Sequence, residues 1–327
     1  MSFSEYIPPL FLRNGHLLTI YPSLFRHVND VHYQRERIAT IDEDFLDLDW
    51  SIVNSDRLVI LSHGLEGRST RHYILGMVRM LNNSGFDTLA WNFRSCSAEM
   101  NHRLRFYHSG ETSDLRTVIA HADTANIYKE IILLGFSMGG NQILHFLGKE
   151  HDAIPTVLSQ AIVISVPLDL ASSAQALAQP KNKLYMKRFM RSLENKVREK
   201  AKRFPGELDI ENLSKMKTFR DFDAAYTAPI HGYNSAGDYW EKCSSKQFLP
   251  KIKIPTLIIN ALDDPFLTAS CYPYEEVRHN PLLTLLTPVH GGHVGFVQFN
   301  RQGLYWSEEI VRRQILNRLA PKDKIIP

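Results

Sequence analysis

The 327-residue chain has room for one large α/β domain with an insertion or for two modest domains, and its 44% hydrophobic and 22% charged residues are those of an ordinary soluble globule. A net charge of +3 is too small to argue for a nucleic-acid partner. Three scattered cysteines, Cys96, Cys243 and Cys271, have no CxxC spacing and suggest neither a disulfide framework nor a zinc site, which fits a reducing compartment. No basic region precedes an apolar core at the N-terminus, and no stretch reaches the roughly 18 apolar residues of a spanning helix, so a cytoplasmic protein is expected.

Residues 1–30, with Pro8, Pro9 and Pro22, read as a mostly irregular arm whose apolar residues Leu10, Phe11, Leu12, Leu17, Leu18, Ile20 and Phe25 pack on the body. From Phe45 to Val53, Leu46, Leu48 and Trp50 alternate with Asp47, Asp49 and Ser51, which predicts a half-exposed antiparallel strand near a sheet edge. Arg57–Ser62 is the first fully buried strand and runs into His63-Gly64-Leu65-Glu66-Gly67. His63 reads as a hydrogen-bonding loop histidine. A helix over about Arg71–Asn83 is closed by Gly85, and a strand over Phe86–Phe93 follows. The next helix carries Leu115, Val118, Ile119 and Ala122 on one face, with Asp114 as a capping or dipole residue. Cys96, with no evident base beside it, reads as structural.

Ile131 to Leu134 look like a buried parallel strand entering Gly135-Phe136-Ser137-Met138-Gly139, a GxSxG motif, and then a helix over Gly140–Glu150. The turn is so tight that side chains at its first and fifth positions would strike neighbouring backbone, which accounts for Gly135 and Gly139. Ser137 is then presented at the sheet edge as a nucleophile. The backbone N–H of Met138, at the helix start, points at a developing oxyanion, and the loop after the first buried strand supplies a second donor, the N–H of Leu65.

A further buried strand spans Gln160–Val166, after which the βα alternation lapses. Residues 180–246 read as an inserted helical cap dominated by a helix over about Asn182–Arg203. Met186, Phe189, Met190, Leu193, Val197 and Ala201 form its apolar side, and its other side is basic, with Lys187, Arg188, Arg191, Lys196, Arg198, Lys200, Lys202 and Arg203. That side reads as a solvated face, or alternatively as peripheral membrane contact through 182–203. The sheet resumes at Ile254–Ala261 and Leu282–Thr287, and a last helix, about Ser307–Leu319, turns Ile310, Val311, Ile315 and Leu319 inward before a frayed end.

Each late strand ends in a candidate triad member. Asp263 and Asp264 both follow the first; the Asp264-Pro265-Phe266-Leu267-Thr268 frame favours Asp264, leaving Asp263 as a turn or capping residue. After the second, His293 stands behind Gly291 and Gly292 and ahead of Gly295, whereas His290 lacks that support. The order Ser137, Asp264, His293 is that of an α/β hydrolase, with a mostly parallel sheet flanked by helices in a single domain over 1–327.

The motifs Asn14-Gly15-His16-Leu17-Leu18-Thr19-Ile20-Tyr21-Pro22, His63-Gly64-Leu65-Glu66-Gly67, Asn92-Phe93-Arg94, Tyr107-His108-Ser109-Gly110-Glu111-Thr112, Gly135 to Asn141, Asp263 to Phe266 and Gly291 to Phe296 together are far more specific than GxSxG. On them the chain resembles the YheT-like α/β-hydrolase family, to which ABHD-type acylglycerol and phospholipid hydrolases are related. Ser95 and Ala98 depart from the family, whose members often have glycine there. The resemblance implies carboxylester hydrolysis, with Ser137, Asp264 and His293 as charge relay, and does not supply the substrate. The expected reaction is acyl transfer to water through an acyl-enzyme, on a small-molecule or lipid ester, with no metal or organic cofactor. Lipase or phospholipase action is the near alternative, and a non-catalytic ligand-binding protein on the same scaffold the distant one.

Overall fold

Runs of aliphatic residues that alternate between two buried faces dictate the centre of the molecule. In the computed structural model, which describes residues 5–124 and 127–317, they assemble into one sheet. Its strands are β1 (Gln34–Ala39), β2 (Phe45–Ser51), β3 (Arg57–Ser62), β4 (Asp87–Asn92), β5 (Glu130–Phe136), β6 (Leu158–Ile164), β7 (Thr256–Ile259) and β8 (Leu283–Leu286), in spatial order β1-β2-β4-β3-β5-β6-β7-β8. β2 is antiparallel to both of its neighbours, and all other pairings are parallel. The chain order reverses direction across the sheet at β3, whose neighbours are β4 and β5, and ligands bind beyond the carboxyl ends of strands at such a reversal.

The helices are α1 (Gly15–Phe25), α2 (His72–Asn83), α3 (Ser113–Thr124) and α4 (Met138–Lys149), followed between β6 and β7 by α5 (Leu170–Leu177), α6 (Lys183–Arg203), α7 (Phe219–Phe222), α8 (Ala228–Ile230) and α9 (Ala236–Cys243), and then by α10 (Tyr274–His279) and α11 (Trp306–Asn317). In β3 and β5, Leu58, Ile60, Ile131 and Leu133 face one core with Leu115 and Val118 of α3 and Ile143 and Leu144 of α4. Val59, Leu61, Ile132 and Leu134 face the other, with Leu18, with Ile74 and Met77 of α2, and with Ile310 and Val311 of α11. Each such side chain gains roughly 2–3 kcal/mol from burial, so a one-residue slip of register would forfeit both cores at once. α6 and its neighbours hold a third cluster of their own, with Met186, Met190, Leu193 and Val197 against Phe222 and Tyr226.

Four readings of the sequence change. The arm is not mostly irregular, because Asn14 caps α1, its side chain accepting from the amides of His16 and Leu17, and Pro22 lies inside the helix. Of its apolar residues Leu12 and Leu18 are buried, whereas Leu10, Phe11, Leu17 and Phe25 are exposed. β2 is not half-exposed: Asp47 and Asp49 are buried because Arg37 and Arg35 of β1 close over them in paired hydrogen bonds of 2.7–3.0 Å. β1, with four polar or charged residues in six, left no apolar run because it is an edge strand.

The basic side of α6 also divides. Lys187, Arg188, Arg191, Arg198, Lys202 and Arg203 are exposed, but Lys200 is fully buried with its ammonium donating to the carbonyls of Asn101 and Arg103, and Lys196 is half-buried in an ion pair with Glu66 at 2.7 Å. Asp114 is more than a cap, since it binds the buried Arg94 guanidinium at 2.7–2.8 Å beside Asp42 and Asp44. The inward-facing role expected of Leu319 and the frayed end lie outside the described residues. Among the described residues no helix is long and apolar enough to cross a membrane, and no cluster of three potential metal ligands occurs.

Candidate active site

At the carboxyl end of β5 the chain turns sharply into α4 with Ser137 at φ 51°, ψ −119°, a conformation that costs a non-glycine residue on the order of 1–3 kcal/mol. The surroundings enforce it. A Cβ at Gly139 would lie 2.5 Å from the carbonyl oxygens of Ser62 and His63, and one at Gly135 would lie 2.7 Å from the backbone of Gly140. The Ser137 amide donates to Ile164 O at 2.9 Å, fixing the turn to the next strand.

Three loops at strand ends converge on this serine. Ser137 Oγ donates to His293 Nε2 at 2.9 Å, and His293 Nδ1 donates to Asp264 Oδ2 at 2.8 Å. Asp264 is 4% exposed, and its other oxygen accepts from the Phe266 amide at 2.9 Å. The carboxylate therefore fixes the imidazole tautomer that leaves Nε2 free to accept from serine. Asp263 points elsewhere: it accepts from the Gly292 amide at 2.8 Å and meets His290 Nδ1 at 3.1 Å, a pair that braces the histidine loop.

The histidine loop is pinned from two further sides. The His293 amide donates to Thr19 Oγ1 of α1 at 2.8 Å, the Val294 amide donates to Ser165 Oγ at 2.9 Å, and the Phe266 ring lies 4.2 Å from the imidazole. Gly15 lets α1 approach, since a Cβ there would lie 1.9 Å from Asp263 O. Sequence reasoning did not assign these supports. The Asn14-to-Pro22 motif was a signal that the arm matters, whereas nothing in the local sequence marks Ser165.

The loop after β3 stands against the serine, with the Gly64 Cα side facing Ser137 Cβ. The amides flanking Leu65 are taken, Gly64 N–H by Tyr73 Oη at 3.1 Å and Glu66 N–H by Tyr107 Oη at 3.0 Å, while those of Leu65 and Met138 have no acceptor among the described residues. Both residues line the cavity that contains Ser137 and His293. Glu66, at φ 54°, is held by the Tyr107 and Ser192 hydroxyls and by Lys196, so α6 reaches the loop directly. His63 is a structural member of this loop: its Nδ1 donates to Gly64 O at 2.8 Å and its Nε2 accepts from the Phe93 amide at 3.2 Å. Complete burial pushes its pKa down to about 3, so it stays neutral.

The cavity is walled by apolar side chains including Phe106, Leu170, Leu177, Phe189, Leu193 and Phe266, most of them from the segment between β6 and β7. Cys96, Cys243 and Cys271 are buried free thiols, and burial pushes Cys96 and Cys243 up to about 11, away from nucleophilic use. Ser95 sits at φ 61°, the left-handed conformation that explains why glycine suits this position.

The alpha/beta hydrolase fold family matches residues 57–299. The chain is 36% identical to a protein of Escherichia coli (strain K12) named "Putative esterase YheT" over 90% of this chain and 88% of that one. It is 30% identical to phospholipase ABHD3 of Bos taurus over 84% and 69%, and 29% identical to a monoacylglycerol lipase of Saccharomyces cerevisiae over 79% and 59%. Among solved structures, the esterase Pf2001 of Pyrococcus furiosus shares the fold with a TM-score of 0.59 at 18% identity, over 97% of this chain and 98% of that one. With its sheet order, its strand-end loops and these relatives, the chain belongs to the alpha/beta hydrolase fold family, among its YheT-like members.

Proposed function

We propose that the protein is a serine hydrolase of carboxylic esters, and the observation that carries this reading is the hydrogen-bonded series Ser137 Oγ, His293 Nε2, His293 Nδ1 and Asp264 Oδ2 at 2.9 and 2.8 Å. His293 takes the Ser137 proton as Oγ attacks the ester carbonyl. Asp264 steadies the imidazolium that results. The Leu65 and Met138 amides stabilise the oxyanion, each contributing about 3 kcal/mol to lowering the barrier. His293 then protonates the departing alcohol, and water, deprotonated by the same imidazole, releases the acid from the acyl-serine. In this reading 1–327 is one hydrolase domain, residues 180–246 are its cap and residues 1–30 an arm that steadies the histidine loop.

A fluorophosphonate probe tests the assignment. It is expected to label Ser137 in the folded protein and not in Ser137→Ala, and an unlabelled Ser137 sinks the nucleophile. A binding protein on this scaffold would instead give no ester turnover above that of Ser137→Ala.

Lipid esters are a second reading, favoured by the apolar walls of the cavity and by relatives named phospholipase and monoacylglycerol lipase. The exposed basic residues of α6 would then meet an anionic surface, each contributing on the order of 1 kcal/mol at low salt. Flotation with phosphatidylserine vesicles checks this, and no association at low salt removes the membrane route.

A further inference from the structure

One end of the cavity holds a group that the proposed reaction does not use. Asp223 begins a π-turn, Asp223–Thr227, between α7 and α8, an irregularity that recurs at functional sites. It lines the same cavity as Ser137 and is 8% exposed. Its Oδ1 accepts from Thr227 Oγ1 at 2.6 Å and its Oδ2 from Trp240 Nε1 at 2.8 Å. Both donors are neutral, and a carboxylate has acceptor room for about two more.

No ion pair reaches Asp223 among the described residues. Asp44, Asp47, Asp49, Asp114, Glu111 and Glu308, all buried, have arginine partners, and Asp264 has His293. Asp87, the other buried carboxylate without a cation, accepts from two backbone amides and from Tyr128, and it does not line this cavity. His231 and His108, beside the same cavity, are kept neutral by burial and supply no charge. Burial raises the Asp223 carboxyl to about 6, which still leaves it mostly ionised at neutral pH. The walls around it are aromatic: Phe219, Phe222, Tyr239 and Trp240. Aromatic faces beside an uncompensated carboxylate are the surroundings that hold alkylammonium groups.

We propose that this end of the cavity, bounded by Asp223, Phe219, Phe222, Tyr239 and Trp240, is a subsite for a cationic, ammonium-bearing portion of the ester. The proposal deepens the hydrolase reading by assigning a substrate class to the same site. Asp223 supplies the counter-charge, and the rings exclude water.

Choline and 3,3-dimethyl-1-butanol test it, because they share a shape and differ in whether the quaternary centre is a charged nitrogen or a neutral carbon. Titration followed by tryptophan fluorescence and melting temperature needs no turnover. Choline is expected to bind the wild-type protein at least about tenfold more tightly than the alcohol, and Asp223→Asn to bring that ratio near one. Equal affinities, tighter binding of the neutral probe, or no binding of either overturns the proposal.

Two pairs of esters then locate the cation on the substrate. Butyrylcholine against 3,3-dimethylbutyl butyrate places it in the alcohol, and ethyl 4-(trimethylammonio)butanoate against ethyl 5,5-dimethylhexanoate places it in the acyl chain. The pair with the larger kcat/KM ratio identifies the side, and that ratio falls in Asp223→Asn. Charge-selective choline binding without cleavage of any ester and without labelling of Ser137 would reject the hydrolase reading and leave the subsite standing.

Discussion

Two adjacent aspartates at the end of β7 have different work, and the geometry separates them. Asp264→Asn is expected to lower kcat on a p-nitrophenyl ester by about 10⁴-fold, because an amide cannot fix the productive tautomer of His293. Asp263→Asn loses only a brace on the Gly292 amide and His290, and a far smaller loss is expected. A reversal of the two effects would reassign the acid. Gly15 offers a test further from the chemistry. Gly15→Ala puts a methyl 1.9 Å from Asp263 O, so the aspartate loop or α1 must move. A shift of about 1 Å at the proposed triad costs on the order of 100-fold in kcat, with little change in the melting temperature expected. That Ser137, His293 and Asp264 come together was legible because each sits in a glycine- or proline-marked turn after an apolar strand. Thr19 and Ser165 were not, since a hydroxyl that braces a loop more than a hundred residues away leaves no local pattern.

At the level of elements, the amphipathic period of α6 was readable, but the direction of its lysines was not. A basic residue on the flank of an apolar stripe has a stem long enough to turn either way, and the partner decides. Lys196 turns inward to Glu66, which precedes Gly67 and follows Leu65 in the loop proposed to hold the oxyanion. Lys196→Met leaves the Glu66 carboxylate buried without its cation, a loss of about 3–5 kcal/mol in urea unfolding. If α6 positions the Leu65 amide, kcat falls more than KM rises, and Lys196→Arg recovers part of kcat. Equal activity in the methionine variant would separate the cap from the chemistry. The interior strands were legible as apolar runs to within two or three residues at each end. β1 was missed because four of its six residues are polar or charged, and the burial of Asp47 and Asp49 followed from it.

Across the whole molecule, histidines make acid the adverse direction. Burial holds His63 near 3 and His72, His145 and His231 near 4, and His108 well below its ordinary value. Folded values below 6.5 mean that the unfolded chain binds more protons between pH 6.5 and about 4. Their contribution is fully present above pH 6.5 and is lost as pH falls through that window. Asp223, raised to about 6, acts in the opposite sense between 6 and 3.8, one group against five. The urea midpoint is therefore expected to drop between pH 7 and pH 5, and a constant or rising midpoint would show that these rings are not buried neutral.

The two ends of the described chain meet at the back of the site. Tyr6 donates to Val297 O at 2.7 Å and packs on Trp306, Arg26 pairs with Glu308 at 2.7 Å, and Thr19 holds the amide of His293. The hydrogen bonds of Thr19 and Tyr6 join residues 274 and 291 positions apart. During synthesis the arm is made long before residues 293–308, on which it docks. The serine turn and the core under α3 and α4 can form earlier, from residues already present. The proposed base and the contacts that hold it are then added last, so a nascent chain stopped before residue 293 carries a finished sheet without that base, and the proposed site is complete only when the arm can grip the histidine loop.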